Sequence, residues 1–316
     1  MMTIMKTCLA VEEYLHYLKD SRHRSPNTIE SYQNDLRQYC EFLCNLSEKL
    51  HPFETSGLSM LPGPDLSARI VQAMPPTAQA FCEFLKAKFY APATIARRCA
   101  AAEGFYKYLR KIGQIKQNPF EDFQFVKPKP SGRVCLEEPQ IAKLLSAVPN
   151  NSWLGIRDKA VVALLYTTGI KVGELSQLTL ADYSANEKNL HIRKRGGRTR
   201  IVSVPDRAEA VIQEYLSVRR LKSEECTPPT EILFLNRDCG PLTVRSIRRK
   251  LKQYGKDAGF TVGVTPETLR RSHVIQMLRR GVPPEQLAWR LGYFSVAALK
   301  QQMELNEAAY PMTDEK

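Results

Sequence analysis

Midway along the chain, the run Phe125-Val126-Lys127-Pro128-Lys129-Pro130-Ser131-Gly132 breaks any regular element. Its prolines remove backbone donors and fix φ, and nothing in it repeats with the period of a helix or a strand. A chain of 316 residues divided in this way folds as two bodies of ordinary domain size. The boundaries expected are an amino-terminal domain over 1–126, a linker over 127–134 and a carboxy-terminal domain over 135–316.

Ahead of the linker the patterns are helical. Val11, Tyr14, Leu15 and Leu18 recur at helical spacing between Ala10 and Lys19, and a polar break runs from Asp20 to Pro26. Ser25-Pro26-Asn27-Thr28 supplies a capping hydroxyl and a first-turn proline. The helix it opens carries the stripe Ile29, Tyr32, Leu36, Tyr39, Phe42 and Leu43. His51 to Leu66, rich in Pro, Gly and Ser, predicts a loop, and two more helices are predicted over Ala78 to Lys88 and Pro92 to Ile112. Beyond the linker, Leu136-Glu137-Glu138-Pro139 opens a second helical region. Within it Leu190 to Arg193 and Thr199 to Val204 alternate like strands, joined by the hairpin signal Arg195-Gly196-Gly197-Arg198. The fold class expected is mainly α: a small helical domain, then a larger, mostly helical one holding a small antiparallel sheet.

Composition narrows the partners. Hydrophobic residues at 43% suffice for real cores, and 46 Lys plus Arg against 33 Asp plus Glu give a formal charge of +13. Such an excess favours a polyanion, of which nucleic acid is the commonest. There is no run of about 18 apolar residues to span a membrane, and Met1 to Lys6 lacks a secretory apolar core. The eight cysteines form no C-x-x-C pair, and Cys40 and Cys44 share a helix face without a second ligand pair. Free thiols in a reducing cytoplasm are expected, with no metal and no cofactor.

The cations cluster. Lys188, Arg193, Lys194, Arg195, Arg198 and Arg200 surround the hairpin, and Arg245, Arg248, Arg249 and Lys252 share one face of a later helix. One such cluster reads as a solvated face; two in one domain point to a double-stranded DNA groove, where each phosphate contact releases condensed counterions. The expected DNA-contacting residues are Lys194, Arg195, Arg198, Arg200, Arg245, Arg248, Arg249 and Lys252.

Three boxes carry a resemblance. Thr167-Thr168-Gly169-Ile170-Lys171-Val172-Gly173-Glu174-Leu175 resembles the T-G-x-R-x-x-E-L signature of the tyrosine recombinase (phage integrase) family, nearest to its Xer branch. Thr265-Pro266-Glu267-Thr268-Leu269-Arg270-Arg271-Ser272 resembles that family's T-P-H-x-L-R-H-S box, and Leu291-Gly292-Tyr293-Phe294-Ser295 its L-G-H-S box. Ser25 to Asp35 and Thr94 to Pro119 are similar to the helical, SAM-like core-binding domain. Order and spacing match along nearly the whole chain.

The resemblance implies metal-free phosphoryl transfer. A tyrosine attacks the scissile phosphate, two arginines with histidine or tryptophan groups hold its oxygens, and a hairpin lysine protonates the leaving oxygen. Carried over by position, the first arginine falls on Lys171, which keeps charge without the bidentate fork. The lysine falls on Arg195 or its neighbour Lys194, the first histidine on Glu267 and the second on Tyr293. The nucleophile falls on Gln302, whose amide forms no phosphate ester. Only Arg270 keeps the family's residue. Glu267 and Arg270, at i and i+3, are expected to pair, and His273 is expected to be a packed histidine. Gly169 and Gly292 are each expected to end a helix. The reading is a DNA-binding homologue that does not cut, an accessory or architectural subunit beside an active recombinase or its own copies. The alternatives are an active recombinase using Tyr310 or Tyr293, and a DNA-binding regulator without strand exchange.

Overall fold

A computed structural model describes residues 8–45, 66–123, 134–193 and 199–303, and divides the chain into two units, Met1–Ser131 and Gly132–Lys316. Most of the loop expected over His51 to Leu66, and of the linker expected over 127–134, falls outside the described residues.

The first unit is helical: α1 (Leu9–Asp20), α2 (Pro26–Asn45), α3 (Leu66–Val71), α4 (Pro75–Ala87) and α5 (Pro92–Lys111). Local chemistry sets its helix starts. Ser25 Oγ accepts the Thr28 N–H at 3.1 Å, and prolines open α4 and α5, where a missing N–H leaves nothing unpaired. The core is aromatic. Tyr39 meets Phe81 edge-on at 4.9 Å between centroids, with Phe42, Phe105, Tyr106 and Phe120 buried around them. Two phenols could leave orphaned polar atoms here. Instead the Tyr39 and Tyr106 hydroxyls bond each other at 2.9 Å, and Tyr106 donates to the Ile70 carbonyl at 3.1 Å.

The second unit begins with α6 (Glu138–Ser146), α7 (Trp153–Thr168) and α8 (Val172–Leu175). A three-stranded antiparallel sheet follows, β1 (Tyr183–Ser184), β2 (Asn189–Arg193) and β3 (Thr199–Ser203), in the order β1-β2-β3 with His191 opposite Ile201. Then come α9 (Asp206–Glu224), α10 (Val244–Asp257), α11 (Pro266–Arg279), α12 (Pro284–Leu291) and α13 (Val296–Met303). Apolar residues surround α7 on all sides, so it is buried along most of its length, packed by α9 and α11. No helix among the described residues is long and apolar enough to cross a membrane.

One expectation fails outright. Cys226 and Cys239 are not free: they form a disulfide, because the end of α9 and the turn before α10 bring their Cα atoms to 5.6 Å. The other six cysteines are unpaired.

The glycine stops are where the boxes meet. Gly169 (φ 63°) caps α7 and Gly292 (φ 76°) caps α12, both in the left-handed region. Space as well as dihedral requires glycine at 169, because a Cβ there would lie 2.6 Å from the His273 ring. His273 itself is buried. Burial first, then the nearby charges of Arg290, Arg270 and Arg207, push its imidazole down to about 3. A neutral ring is therefore part of the folded state, while the unfolded chain takes up its proton near 6.5. Stability is full above that value and falls as pH drops through the window toward 3. Urea unfolding should show about 2 kcal/mol less stability at pH 5 than at pH 7 from this group. In His273→Gln that component of the pH dependence should be absent.

Candidate functional site

Arg270 sits in the second turn of α11, whose start is fixed by Thr265 Oγ1 accepting the Thr268 N–H at 3.1 Å. The side chain runs inward and is 6% exposed. One guanidinium nitrogen donates to the Gly169 carbonyl and the other to the Leu291 carbonyl, the latter at 3.0 Å. The cation thus closes the carboxy-terminal ends of α7 and α12 together, where unsatisfied carbonyls and the helix dipoles favour positive charge. The Tyr293 ring stands 5.1 Å from the Arg270 Cζ and 6.0 Å from Lys171 Nζ. Lys171, Arg270 and Tyr293, which lie far apart in sequence, therefore meet at one point.

Lys171 is exposed at the start of α8, and its backbone N–H donates to Glu174 Oε2 at 2.8 Å. Glu174 also takes both guanidinium nitrogens of Arg200, at 2.8 and 2.7 Å, while Arg200 Nε donates to the Arg290 carbonyl at 2.8 Å. Burial pushes the Glu174 carboxyl up, but the Arg200 bonds and charge more than offset this and hold it below its ordinary value. Arg200 was expected among the DNA contacts. It is instead 5% exposed, because the register of β3 turns residues 200 and 202 inward and 201 outward. Ile201, the apolar neighbour, is the one that faces out, 50% exposed.

Glu267 does not pair with Arg270. Arg270 is committed to two carbonyls inside the unit, while Glu267 stays exposed in the first turn of α11 and accepts from Arg248 of α10 at 2.7 Å. Burial raises the Glu267 carboxyl, and the Arg248 bond and charge bring it below its usual range.

On α10, Arg245, Arg248, Arg249 and Lys252 are all exposed, and Ile247, Leu251 and Tyr254 are buried opposite them. Two buried charges that sequence reasoning passed over hold the inner face. Asp158 accepts from the Tyr254 hydroxyl at 2.5 Å, lies 3.4 Å from Lys250 Nζ and carries Arg157 on its other oxygen at 2.6 Å. The signal available was an Arg-Asp pair inside an otherwise apolar helix. Lys194, Arg195, Arg198 and Tyr310 lie outside the described residues. Position 302 is helical in α13, but the Gln302 side chain lies outside the description too.

Comparison with known proteins matches this geometry to a family. The Phage integrase family model covers residues 135–307, and the model for the phage integrase N-terminal SAM-like domain covers residues 11–57. Tyrosine recombinase XerC of Roseiflexus castenholzii is 30% identical, over 94% of this chain and 88% of its own length. Tyrosine recombinase XerD of Listeria monocytogenes is 26% identical, over 91% of each. Among solved structures, the Tn1549 transposon integrase in complex with a circular intermediate DNA superimposes with a TM-score of 0.68 at 17% identity, covering 94% of this chain and 95% of that one. A lambda integrase tetramer bound to a Holliday junction gives 0.66 at 15% identity, covering 97% and 79%. At these identities the structures establish the shared fold.

The Arg200–Glu174 pair should be costly to break on one side only. Arg200→Met leaves a carboxylate without its main partner and should lower unfolding free energy by about 3 kcal/mol in urea titrations. The double variant with Glu174→Gln should recover much of that loss, giving a large coupling energy in the double-mutant cycle.

Proposed function

The chain belongs to the phage integrase family of tyrosine recombinases, and we propose that it binds duplex DNA without cutting it, as an accessory or architectural subunit. The observation that carries the reading is Gln302 at the position where the family's tyrosine falls. A carboxamide forms no covalent phosphate intermediate, so the step that splits strand transfer into two halves has no acceptor. The remaining positions point the same way. Lys171 offers a point charge in place of a planar fork, and Glu267 sets an anion where a phosphate oxygen would need a donor. Arg270 spends its guanidinium on the Gly169 and Leu291 carbonyls. Loss of one transition-state donor typically costs about a hundred- to a thousand-fold in rate, and loss of the nucleophile together with several donors leaves nothing for binding alone to rescue.

Binding needs less. The exposed face of α10 presents Arg245, Arg249 and Lys252 beside Arg248, and the whole chain carries +13. Long-range attraction and phosphate contacts act through exposed cations and do not require a convergent site. The named relatives are tyrosine recombinases, and the solved homologues are integrases held on DNA. A duplex, and a second recombinase subunit on it, is the partner class those resemblances support.

The test is a labelled duplex from around the protein's own gene, run on a native gel and again after SDS. A native shift that vanishes in SDS is expected. A labelled band that survives SDS and disappears with protease would mean a phosphotyrosyl bond, and Tyr293→Phe and Tyr310→Phe would then identify its source. Replacing Arg245, Arg249 and Lys252 together by alanine should reduce the slope of log binding constant against log salt by about 3.

A further inference from the structure

The turn between α4 and α5 holds a side chain that the packing of its unit does not use. Phe89 is 96% exposed, and its φ of 56° lies in the left-handed region, where a bulky residue sits at a cost. Glycine would remove that strain and a polar residue would hide no less surface, so the fold gains nothing from a phenyl ring here. The turn presenting the ring is braced. The Phe89 N–H donates to the Lys86 carbonyl at 2.9 Å and the Lys88 N–H to the Phe84 carbonyl at 3.2 Å. Next along the chain, Tyr90 carries the Arg98 guanidinium over its ring at 3.8 Å and accepts from Gln38 Nε2 of α2 at 3.0 Å. Pro92 then starts α5. A strained, exposed residue on a held turn is the pattern of a contact side chain, which loses little freedom when it meets its target.

The surrounding charges indicate the target. Lys86, Lys88 and Arg97 are exposed, and residues 86–98 contain no Asp or Glu. The acidic group packed against this stretch, Asp35, is 3% exposed and is held by Arg97 and by Arg98, the latter at 3.6 Å. A single apolar ring framed by cations suits a polyanion with flat apolar groups between its charges, which is the chemistry of nucleic acid.

We propose that Phe89 is a DNA-contacting residue, entering a groove of the duplex and packing against the bases while Lys86 and Lys88 hold flanking phosphates. This deepens the duplex-binding reading given above and rests on it. Apolar side chains set against base steps act in this way in groove-binding proteins. Contact of a ring with bases is not ionic, so its loss weakens binding equally at all salt concentrations, whereas loss of a phosphate contact flattens the salt dependence.

The experiment is fluorescence anisotropy with the full-length chain and a labelled duplex of about 30 base pairs from beside its own gene, titrated at several salt concentrations. Phe89→Gly keeps the left-handed backbone and removes the ring; it should bind about ten-fold more weakly with an unchanged salt slope. Phe89→Trp should bind like wild type, and Lys88→Ala should lose about one unit of slope. Thermal unfolding of Phe89→Gly at or above the wild-type midpoint shows that the loss is not misfolding. Wild-type affinity in Phe89→Gly overturns the assignment and leaves duplex binding standing, and so does a loss of self-association in sedimentation at unchanged affinity. Absence of salt-dependent binding by the wild-type chain removes the duplex reading itself, and this inference with it.

Discussion

The second unit depends on one cation closing two helices. Each helix that stops inside a protein leaves carbonyls without partners, and α7 and α12 both stop, at left-handed glycines, beside the same guanidinium. Arg270 reaches the Gly169 and Leu291 carbonyls from α11, so one side chain of α11 satisfies acceptors at the ends of both α7 and α12. A buried arginine is expensive unless its donors are used, and here helix ends use them. Close packing then fixes the neighbours. His273 lies where a Cβ at residue 169 would have to go, and its ring is neutral because it is buried, with the charges of three arginines adding to the effect.

This arrangement gives a structural role to Arg270, which the family resemblance reads as chemical, beside glycines expected to end helices. Arg270, Gly169 and Gly292 belong to three separate boxes, and they meet in one hydrogen-bonded corner. Ser272 is another case: its hydroxyl accepts the Leu136 N–H at 2.8 Å and donates to the Thr268 carbonyl at 2.9 Å, tying the start of the unit to α11. Glu174 fills a similar position, holding Arg200 of β3 and the Lys171 N–H of its own short helix. A chain that had given up strand cleavage would still need these side chains to fold. Glu267, by contrast, lies exposed, with Arg248 of α10 as its partner.

Much of this was legible in the sequence. Helical stripes, Ser25 as a cap, prolines at first turns and glycines at the ends are local signals, and local physics decides them. What escaped was set by contacts between distant segments. Arg200 and Ile201 are adjacent on a five-residue strand, and only the pairing of β3 with β2 decides which one turns inward; composition favoured the wrong one. Glu267 and Arg270 have ideal spacing for a pair on one helix, yet burial separates them, one toward α10 and the other toward two carbonyls. Cys226 and Cys239 have no motif spacing, and only the path of the chain between α9 and α10 brings them together. Asp158 lies on α7, and its partners Tyr254 and Lys250 come from α10, about a hundred residues further along the chain.

Binding and cutting place unequal demands on such a scaffold. Cutting needs a nucleophile, donors and an acid held together within tenths of an ångström, so each replacement removes a large factor and several remove the reaction. Binding spreads over exposed cations, each adding a similar salt-dependent increment, and tolerates changes one at a time. On α10 the two requirements are visibly separate. Buried Ile247 and Leu251, and Tyr254 through its bond to Asp158, hold the helix to the core, while Arg245, Arg249 and Lys252 lie exposed on the other side. The fold organised by Arg270 and the basic surface of α10 therefore rest on separate sets of residues.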